Sequence, residues 1–299
     1  MGHEVRRLAL AAALAASPAS GETPAAGLDV FYASDSDHTE VLKTAINVDW
    51  RWDGAEKRQG IRLEKAWFKP VGRRGREMDR VYLRFADSAG KWKWNATAGT
   101  DGHTLIGSAS VHSDAKLRQE YFVEREIIET PEGLKRGIYY TFAGAAFDLP
   151  ADDRNSFTMF AGLQQFTGDN MRTHLRGSFV HVLAPKLGLS VQLRTCYFHS
   201  SHPREFDYYS PRWYAEVLPV VQVRRFVGGW QLLGAAGLGR QRDSDSGWRS
   251  SRYLNARATS PAFQKSWAVN AAVTYSNTPV SSGLVYRYTQ VTLGLTKAL

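Results

Sequence analysis

Three observations in the 299-residue chain predict an all-β fold. Apolar and polar residues alternate along most of its length, and clusters of Gly, Pro, Asn and Asp interrupt the alternation at short intervals. Nine Trp, thirteen Tyr and fourteen Phe, many for so hydrophilic a chain, gather toward the ends of the alternating runs. Period two is the spacing at which side chains share one face of a strand. Turn residues end such runs by supplying unusual φ values or by removing a donor.

Taken in chain order, the first feature is not a strand. Arg6 and Arg7 precede an apolar run, Leu8 to Ala16, followed by Ser17-Pro18-Ala19. A basic segment, an apolar core and a small-x-small site describe a secretory signal peptide, with cleavage after Ala19. Residues 20–40 are rich in Ser, Gly and Pro with one apolar patch at Leu28–Tyr32, and read as an N-terminal lead-in. From Val41 the alternation takes over. In Ile46-Asn47-Val48-Asp49-Trp50-Arg51-Trp52 the apolar members alternate with Asn, Asp and Arg. Val81, Leu83 and Phe85 alternate with Tyr82, Arg84 and Ala86, and Trp92, Trp94, Ala96 and Ala98 with Lys91, Lys93, Asn95 and Thr97. Leu187, Leu189, Val191, Leu193 and Tyr197 oppose Lys186, Ser190, Gln192 and Arg194. Trp267, Val269, Ala271, Val273 and Tyr275 oppose Asn270, Thr274 and Ser276. The last segment sets Val291, Leu293 and Leu295 against Gln290, Thr292 and Gly294. Turn clusters fall at Val71–Gly75, Asp87–Gly90, Thr130–Gly133, Pro150–Asp153, Ser200–Phe206 and Asp243–Gly247. No helical spacing persists beyond two turns after residue 40, and no composition break divides residues 41–299, which form one domain.

A soluble sandwich and a membrane barrel both use alternating strands. Sandwich strands run to about five or six residues, whereas a barrel strand needs about 9–11 to cross the hydrocarbon, with aromatics at both interfaces. The long alternations favour the barrel, as do the aromatics near strand ends: Trp50 and Trp52, Trp67, Trp92, Tyr197, Trp213, Trp230, Trp248, Trp267, Tyr275, Tyr286 and Tyr288. Segment spacing and the even-number rule predict a transmembrane antiparallel β-barrel of about 14–16 strands, wide enough for a watery lumen. A bacterial outer membrane is the expected location. Composition excludes a disordered chain, a collagen and a disulfide-stapled mini-protein. The single cysteine, Cys196, allows no intramolecular disulfide and reads as a small packing residue.

If lipid meets the apolar register, the other register lines the lumen, because Arg or Lys at the lipid midplane costs about 2–4 kcal/mol. That reading sends Arg51, Arg62, Arg84, Arg172, Arg176, Arg194, Arg224, Arg257 and Arg287 inward, with Asp49, Glu64 and Glu216 as acidic company. Registers near residues 115–145 stay ambiguous. The charges serve either as ion-paired ladders or as a basic pore attracting anionic solutes, whose field a low-dielectric wall focuses. Tyr82, Tyr214 and Tyr288 either stack on sugar rings or belong to the aromatic girdle.

The formal charge of +9 invites nucleic acid as a partner. Export, and the lack of any basic run longer than three residues, speak against it. Membrane lipid, and lipopolysaccharide phosphates near the loop residues Arg240, Arg242 and Arg249, are the more plausible neighbours. For an enzyme the best cluster is His199-Ser200-Ser201-His202 with Arg204, Glu205 and Asp207, the residue types of a lipid-modifying barrel. Adjacent residues do not orient one another as a triad does, so no catalytic role is assigned. His103, His112, His174 and His181 lack metal-ligand spacing, and no cofactor is expected.

Four local patterns add a resemblance: Tyr208-Tyr209-Ser210-Pro211-Arg212-Trp213-Tyr214 entering a long strand, Gly228-Gly229-Trp230 opening the next, Tyr275-Ser276-Asn277-Thr278-Pro279, and Tyr286-Arg287-Tyr288 entering the last. Together they resemble the outer-membrane barrels of bacterial exopolysaccharide-export proteins, of the cellulose synthase C subunit and bacteriophage N4 adsorption protein type. The likeness covers residues 200–299, and 41–199 only in strand rhythm. It implies a passive export pore for a polysaccharide cargo. Those proteins usually carry helical repeats before the barrel, which this sequence lacks, so any periplasmic scaffold is expected on a separate polypeptide. The final Leu299 also departs from the Phe or Trp common at that position. A surface adhesin or phage receptor that conducts nothing is the alternative of the binding class.

Overall fold

The computed structural model describes residues 23–36, 38–261, 266–277 and 287–299; the expected signal peptide lies outside them. Sixteen strands follow one another. The first eight are β1 (Ala25–Asp35), β2 (Glu40–Trp52), β3 (Arg58–Lys69), β4 (Arg76–Ala89), β5 (Trp92–Thr100), β6 (Leu105–Ser113), β7 (Arg118–Ile127) and β8 (Tyr139–Pro150). The second eight are β9 (Asn155–Phe166), β10 (Met171–Ala184), β11 (Leu189–Ser200), β12 (Trp213–Val227), β13 (Trp230–Asp243), β14 (Ser246–Thr259), β15 (Trp267–Ser276) and β16 (Tyr288–Ala298). Each pairs antiparallel with its chain neighbours, and β1 pairs with β16 to close the barrel. Closure leaves no strand edge with unsatisfied backbone groups, which hydrocarbon does not tolerate.

The barrel begins earlier than the sequence reading placed it. Residues 25–35, expected as part of a lead-in, are β1, in register with β16 from Ala25↔Ala298 to Asp35↔Tyr288. Leu28, Val30 and Tyr32 take the outward register. Their alternation is masked in the sequence because the inward set, Gly27, Asp29, Phe31 and Ala33, mixes polar with apolar residues. Counting this strand makes the number even.

Leu28, Ile46, Leu83, Leu163, Leu175, Leu193, Leu254 and Leu293 stand exposed on the outer wall, the band that faces lipid. Connections at the end away from the chain termini are the longer ones, notably 128–138 and 201–212. The opposite end turns on pairs such as Gly90-Lys91 and Gly228-Gly229. Short periplasmic turns and long extracellular loops are the rule for such barrels, which fixes the orientation. Gly228 and Gly229 both have positive φ (56° and 80°), as a two-residue type I′ hairpin requires. Outward Trp67, Tyr197, Trp213 and Trp248 mark the extracellular interface, and Trp92, Trp94, Trp230 and Trp267 the periplasmic one.

One short helix, α1 (Pro131–Arg136), interrupts the β pattern where the sequence suggests only a turn. Thr130 caps it, its hydroxyl accepting from the Gly133 amide at 3.1 Å. Pro131 occupies the first turn, and Gly137, at φ 69°, ends it.

Candidate functional site

The functional space is the lumen, with its extracellular mouth. Across the β1–β12 side that mouth is filled by α1 and by the strap 201–212. Leu134 of α1 is buried in one apolar cluster with Phe68, Met78, Ile106 and Ile127, and the Arg76 guanidinium donates to the Leu134 carbonyl. The strap is tied to α1 by Asp207, whose carboxylate accepts from the Thr130 hydroxyl (2.6 Å) and the Glu132 amide (2.8 Å). Glu205 accepts from the amides of Asp169 (2.7 Å) and Asn170 (3.0 Å). Tyr208 stacks on Phe166 with ring centroids 4.3 Å apart, and Asn170 donates to its hydroxyl at 2.9 Å. The Tyr209 hydroxyl donates to Asp243 at 2.6 Å, and Arg249 donates to the same carboxylate at 2.6 Å. Beneath the strap the buried Arg172 donates to the Tyr209 carbonyl.

Burial pushes the Tyr208 phenol up to about 12; the Asn170 hydrogen bond offsets this in part, and the nearby Glu205 carboxylate adds to it. Burial, reinforced by the hydrogen bond to Asp243, raises Tyr209 as well. Both phenols are held neutral on the packed side of the mouth.

Below the mouth the lumen divides into two lobes that share Glu124 on β7 and Tyr288 and Gln290 on β16. The first, of about 680 Å³, lies against β1–β8. Most cations in and beside it are matched by acids, while Arg125 donates to the Thr141 hydroxyl at 2.8 Å. Arg62 pairs with Asp29 and, at 2.8 Å, with Glu64. Arg80 pairs with Glu64 (3.2 Å) and Glu126 (2.9 Å), and Lys43 with Glu129 (2.8 Å). Arg84 stands 3.9 Å from Asp49. Charges on a low-dielectric wall must be matched in this way, since an unpaired one costs several kcal/mol. This lobe is an ion-paired ladder.

The second lobe, about 760 Å³, lies against β7–β14 and differs in kind. Phe122, Phe142, Phe160, Phe198, Tyr214 and Tyr253 line it. Three guanidiniums lie over their neighbours' rings: Arg172 over Phe198 (4.4 Å), Arg176 over Phe160 (5.4 Å) and Arg194 over Tyr253 (4.9 Å). Such contacts contribute from about 0.5 kcal/mol when exposed to about 2 when desolvated. His174 sits 4.8 Å from the Phe142 ring, and its Nε2 meets Gln164 Oε1 at 3.1 Å. The Phe142 and Phe160 rings, edge to face at 5.9 Å between centroids, have room because β8 and β9 place Gly144 opposite Gly162. A Cβ at Gly144 would meet Phe160 at 2.5 Å, and one at Gly162 would meet Phe142 at 2.7 Å.

Of the residues expected on the lining, Arg62, Arg84 and Tyr82 border the first lobe. Arg172, Arg176, Arg194 and Tyr214 border the second, and Tyr288 both. Four do not line either lobe. A register shift between Asp49 and Arg51 puts Trp52 on the lining instead and leaves Arg51 paired with Asp87 at 3.3 Å. Arg224 and Arg257 keep the inward register but sit exposed toward the periplasmic rim. Arg287 precedes β16, in the extracellular connection. Tyr286 lies outside the described residues. The sequence reading missed the phenylalanines of the second lobe. TFAGAAF and FTMFAGLQQF carry apolar residues on both faces, so alternation gives no side. The glycine pair facing the rings is the available signal.

In the His199–His202 cluster, His199 and Ser200 end β11 with side chains on opposite faces, His199 exposed and Ser200 buried. Ser201 Oγ lies 3.2 Å from His202 Nδ1, but that nitrogen also faces the Asp169 carbonyl oxygen at 3.0 Å. The nearby carboxylates, Glu205 and Asp207, hold the strap. Among the described residues no group of three His, Cys, Asp or Glu is placed to hold a metal ion.

No family model matches the chain, and no curated protein matches it. Among solved structures it is similar to a bacterial polysaccharide outer membrane secretin, at 14% identity and TM-score 0.64, covering 92% of this chain and 98% of that one. Pseudomonas aeruginosa OccK7 (OpdD) follows at 9% identity and TM-score 0.45, covering 94% and 99%. Acinetobacter baumannii OccAB3 stands at 10% identity and TM-score 0.44, covering 94% and 100%. The first of these likenesses is one of fold. A closed sixteen-strand barrel with a lipid-facing apolar band and a polar lumen is an outer-membrane protein of pore-like architecture.

Proposed function

We propose that this barrel is the outer-membrane conduit of a polysaccharide-export system, conducting passively while chain synthesis elsewhere drives the cargo. The observation that carries the reading is the second lobe, where six aromatic rings and the guanidiniums of Arg176 and Arg194 share one wall. Sugars present apolar C–H faces edged with hydroxyls. Flat aromatic surfaces take the faces, and planar guanidiniums donate to hydroxyl or carboxylate oxygens without demanding one fixed pose. A polymer sliding past needs such repeated, shallow contacts. The polysaccharide secretin, similar in fold, accords with the reading. On this reading the strap and α1 form the exit gate, and a periplasmic scaffold protein delivers the chain from the periplasmic end.

The test is single-channel recording in planar bilayers. With the strap opened by Asp207→Ala, which removes its two bonds to α1, periplasmic-side addition of acidic and neutral exopolysaccharide fragments is expected to block the current. Phe160→Ala with Phe198→Ala is expected to raise the half-blocking concentration about tenfold, the loss of one or two ring contacts. A strap-opened barrel that conducts nothing, or whose current ignores the fragments, defeats the proposal.

A further inference from the structure

The outer wall carries charges that the lumen does not explain. On β3 and β4 they are paired: Lys65 meets Glu77 at 2.7 Å, and Lys69 meets Glu40 of β2 at 3.2 Å. The β13–β14 hairpin is different. On β13, Gln241 and Asp243 are buried inward, which sends Arg240 and Arg242 outward. On β14, buried Ser251 sends Arg252 outward in the same way. All three are exposed, and none makes an ion pair among the described residues. β11 to β15 place no carboxylate on the outward register: Glu216 and Asp243 are buried inward, and Asp245 of the hairpin turn is held by Arg204 at 2.7 Å. Arg249, expected from sequence beside Arg240 and Arg242, faces inward to Asp243.

The three arginines converge. Arg240 pairs across the sheet with Ser250, and Arg252 with Leu238 one rung below. Arg242 lies over the outward Trp213 ring at 5.8 Å, and Trp248 of the same hairpin is 55% exposed. The wall around and beneath them is apolar, with Leu238 beside Arg252 67% exposed and Leu254 below it 55% exposed. Tryptophans at this height mark the headgroup level. Arginine just above a lipid belt is tolerated when its guanidinium reaches up to an anion.

We infer that the outward rim of β12–β14 is a binding site for lipid A, the anchor of lipopolysaccharide. Arg240, Arg242 and Arg252 take the glucosamine phosphates, Trp213 and Trp248 sit at the sugar level, and the acyl chains run down over Leu238 and Leu254. Guanidinium forks match phosphate oxygens in pairs, and the absence of a competing outward carboxylate on β11–β15 leaves the anion to come from the membrane. The site is separate from the lumen and does not depend on what the lumen conducts.

Native mass spectrometry of the full-length barrel in non-ionic detergent tests this. The probes are bisphosphorylated lipid A, the same lipid after enzymatic dephosphorylation, and phosphatidylglycerol. Bisphosphorylated lipid A is expected to stay bound at concentrations where the other two dissociate. R240S/R242S/R252S is expected to weaken its retention about tenfold or more, the loss of charge-assisted hydrogen bonds. A variant with Lys at the same three positions is expected to recover most of the retention, which separates lost charge from lost fold. Equal retention of phosphatidylglycerol or of the dephosphorylated lipid by the unaltered barrel overturns the site, as does undiminished binding by the folded triple Ser variant.

Discussion

Single residues decide the shape of the lumen wall. Gly144 and Gly162 face one another across β8 and β9, and the Phe142 and Phe160 rings occupy the space where their side chains would stand. Gly162→Val would drive the Phe142 ring off the wall. Overpacking of this kind costs about 1–3 kcal/mol, so thermal unfolding should begin at lower temperature and polysaccharide block should weaken, both measurable on one preparation. Arg51 shows how little it takes to mislead a residue-level reading. One bulge between Asp49 and Arg51 exchanges the sides of Arg51 and Trp52, because every side chain changes face when the register slips by one. Alternation in the sequence cannot register a bulge, since the slip is decided by the partner strand.

At the scale of elements, the strap and α1 are the parts that no strand rhythm announces. α1 was partly legible: Thr130-Pro131-Glu132 is a capping residue, a first-turn proline and a first-turn acid, yet six residues are too few to show helical spacing. The strap's inward fold was not legible, since it rests on contacts with residues up to 77 positions away, such as Thr130 with Asp207. Two predictions follow from its anchors. Asp207→Ala removes both bonds to α1, each worth about 1.5–3 kcal/mol, and should raise the open-channel fraction about tenfold or more in bilayer recordings. Alkali should do the same by another route. The folded state raises the Tyr208 phenol, so its contribution is complete below the ordinary tyrosine value of about 10. That contribution is lost as pH rises through about 12. Conductance should therefore climb across this window, in step with tyrosinate absorbance, while Tyr208→Phe should move the rise to higher pH.

For the whole molecule, the sequence reading reached the architecture because a barrel in lipid obeys one rule along its full length. The outward register is apolar, and Val291, Leu293 and Leu295 on β16 follow it as closely as any strand. Leu293→Arg should therefore cost about 2–4 kcal/mol near the midplane and reduce the heat-modifiable, folded fraction on gels. Thr292→Arg, one residue away and facing the lumen, should leave that fraction near the unaltered level. Charge was less legible. The excess of +9 suggests a basic interior, but pairing is set by strands distant in sequence, as Arg80 with Glu126 shows. The first lobe is balanced, much of the second lobe's charge lies on rings, and three arginines stand outside.

The lone cysteine gains a use from its place. Cys196 lines the second lobe beside Arg176 and Phe198, so the unaltered protein already carries a reporter within its own passage. A membrane-impermeant maleimide supplied from one side or the other would read which end of the lumen is open. The labelling rate would also follow the strap in living cells, with no engineered thiol to disturb the wall it measures.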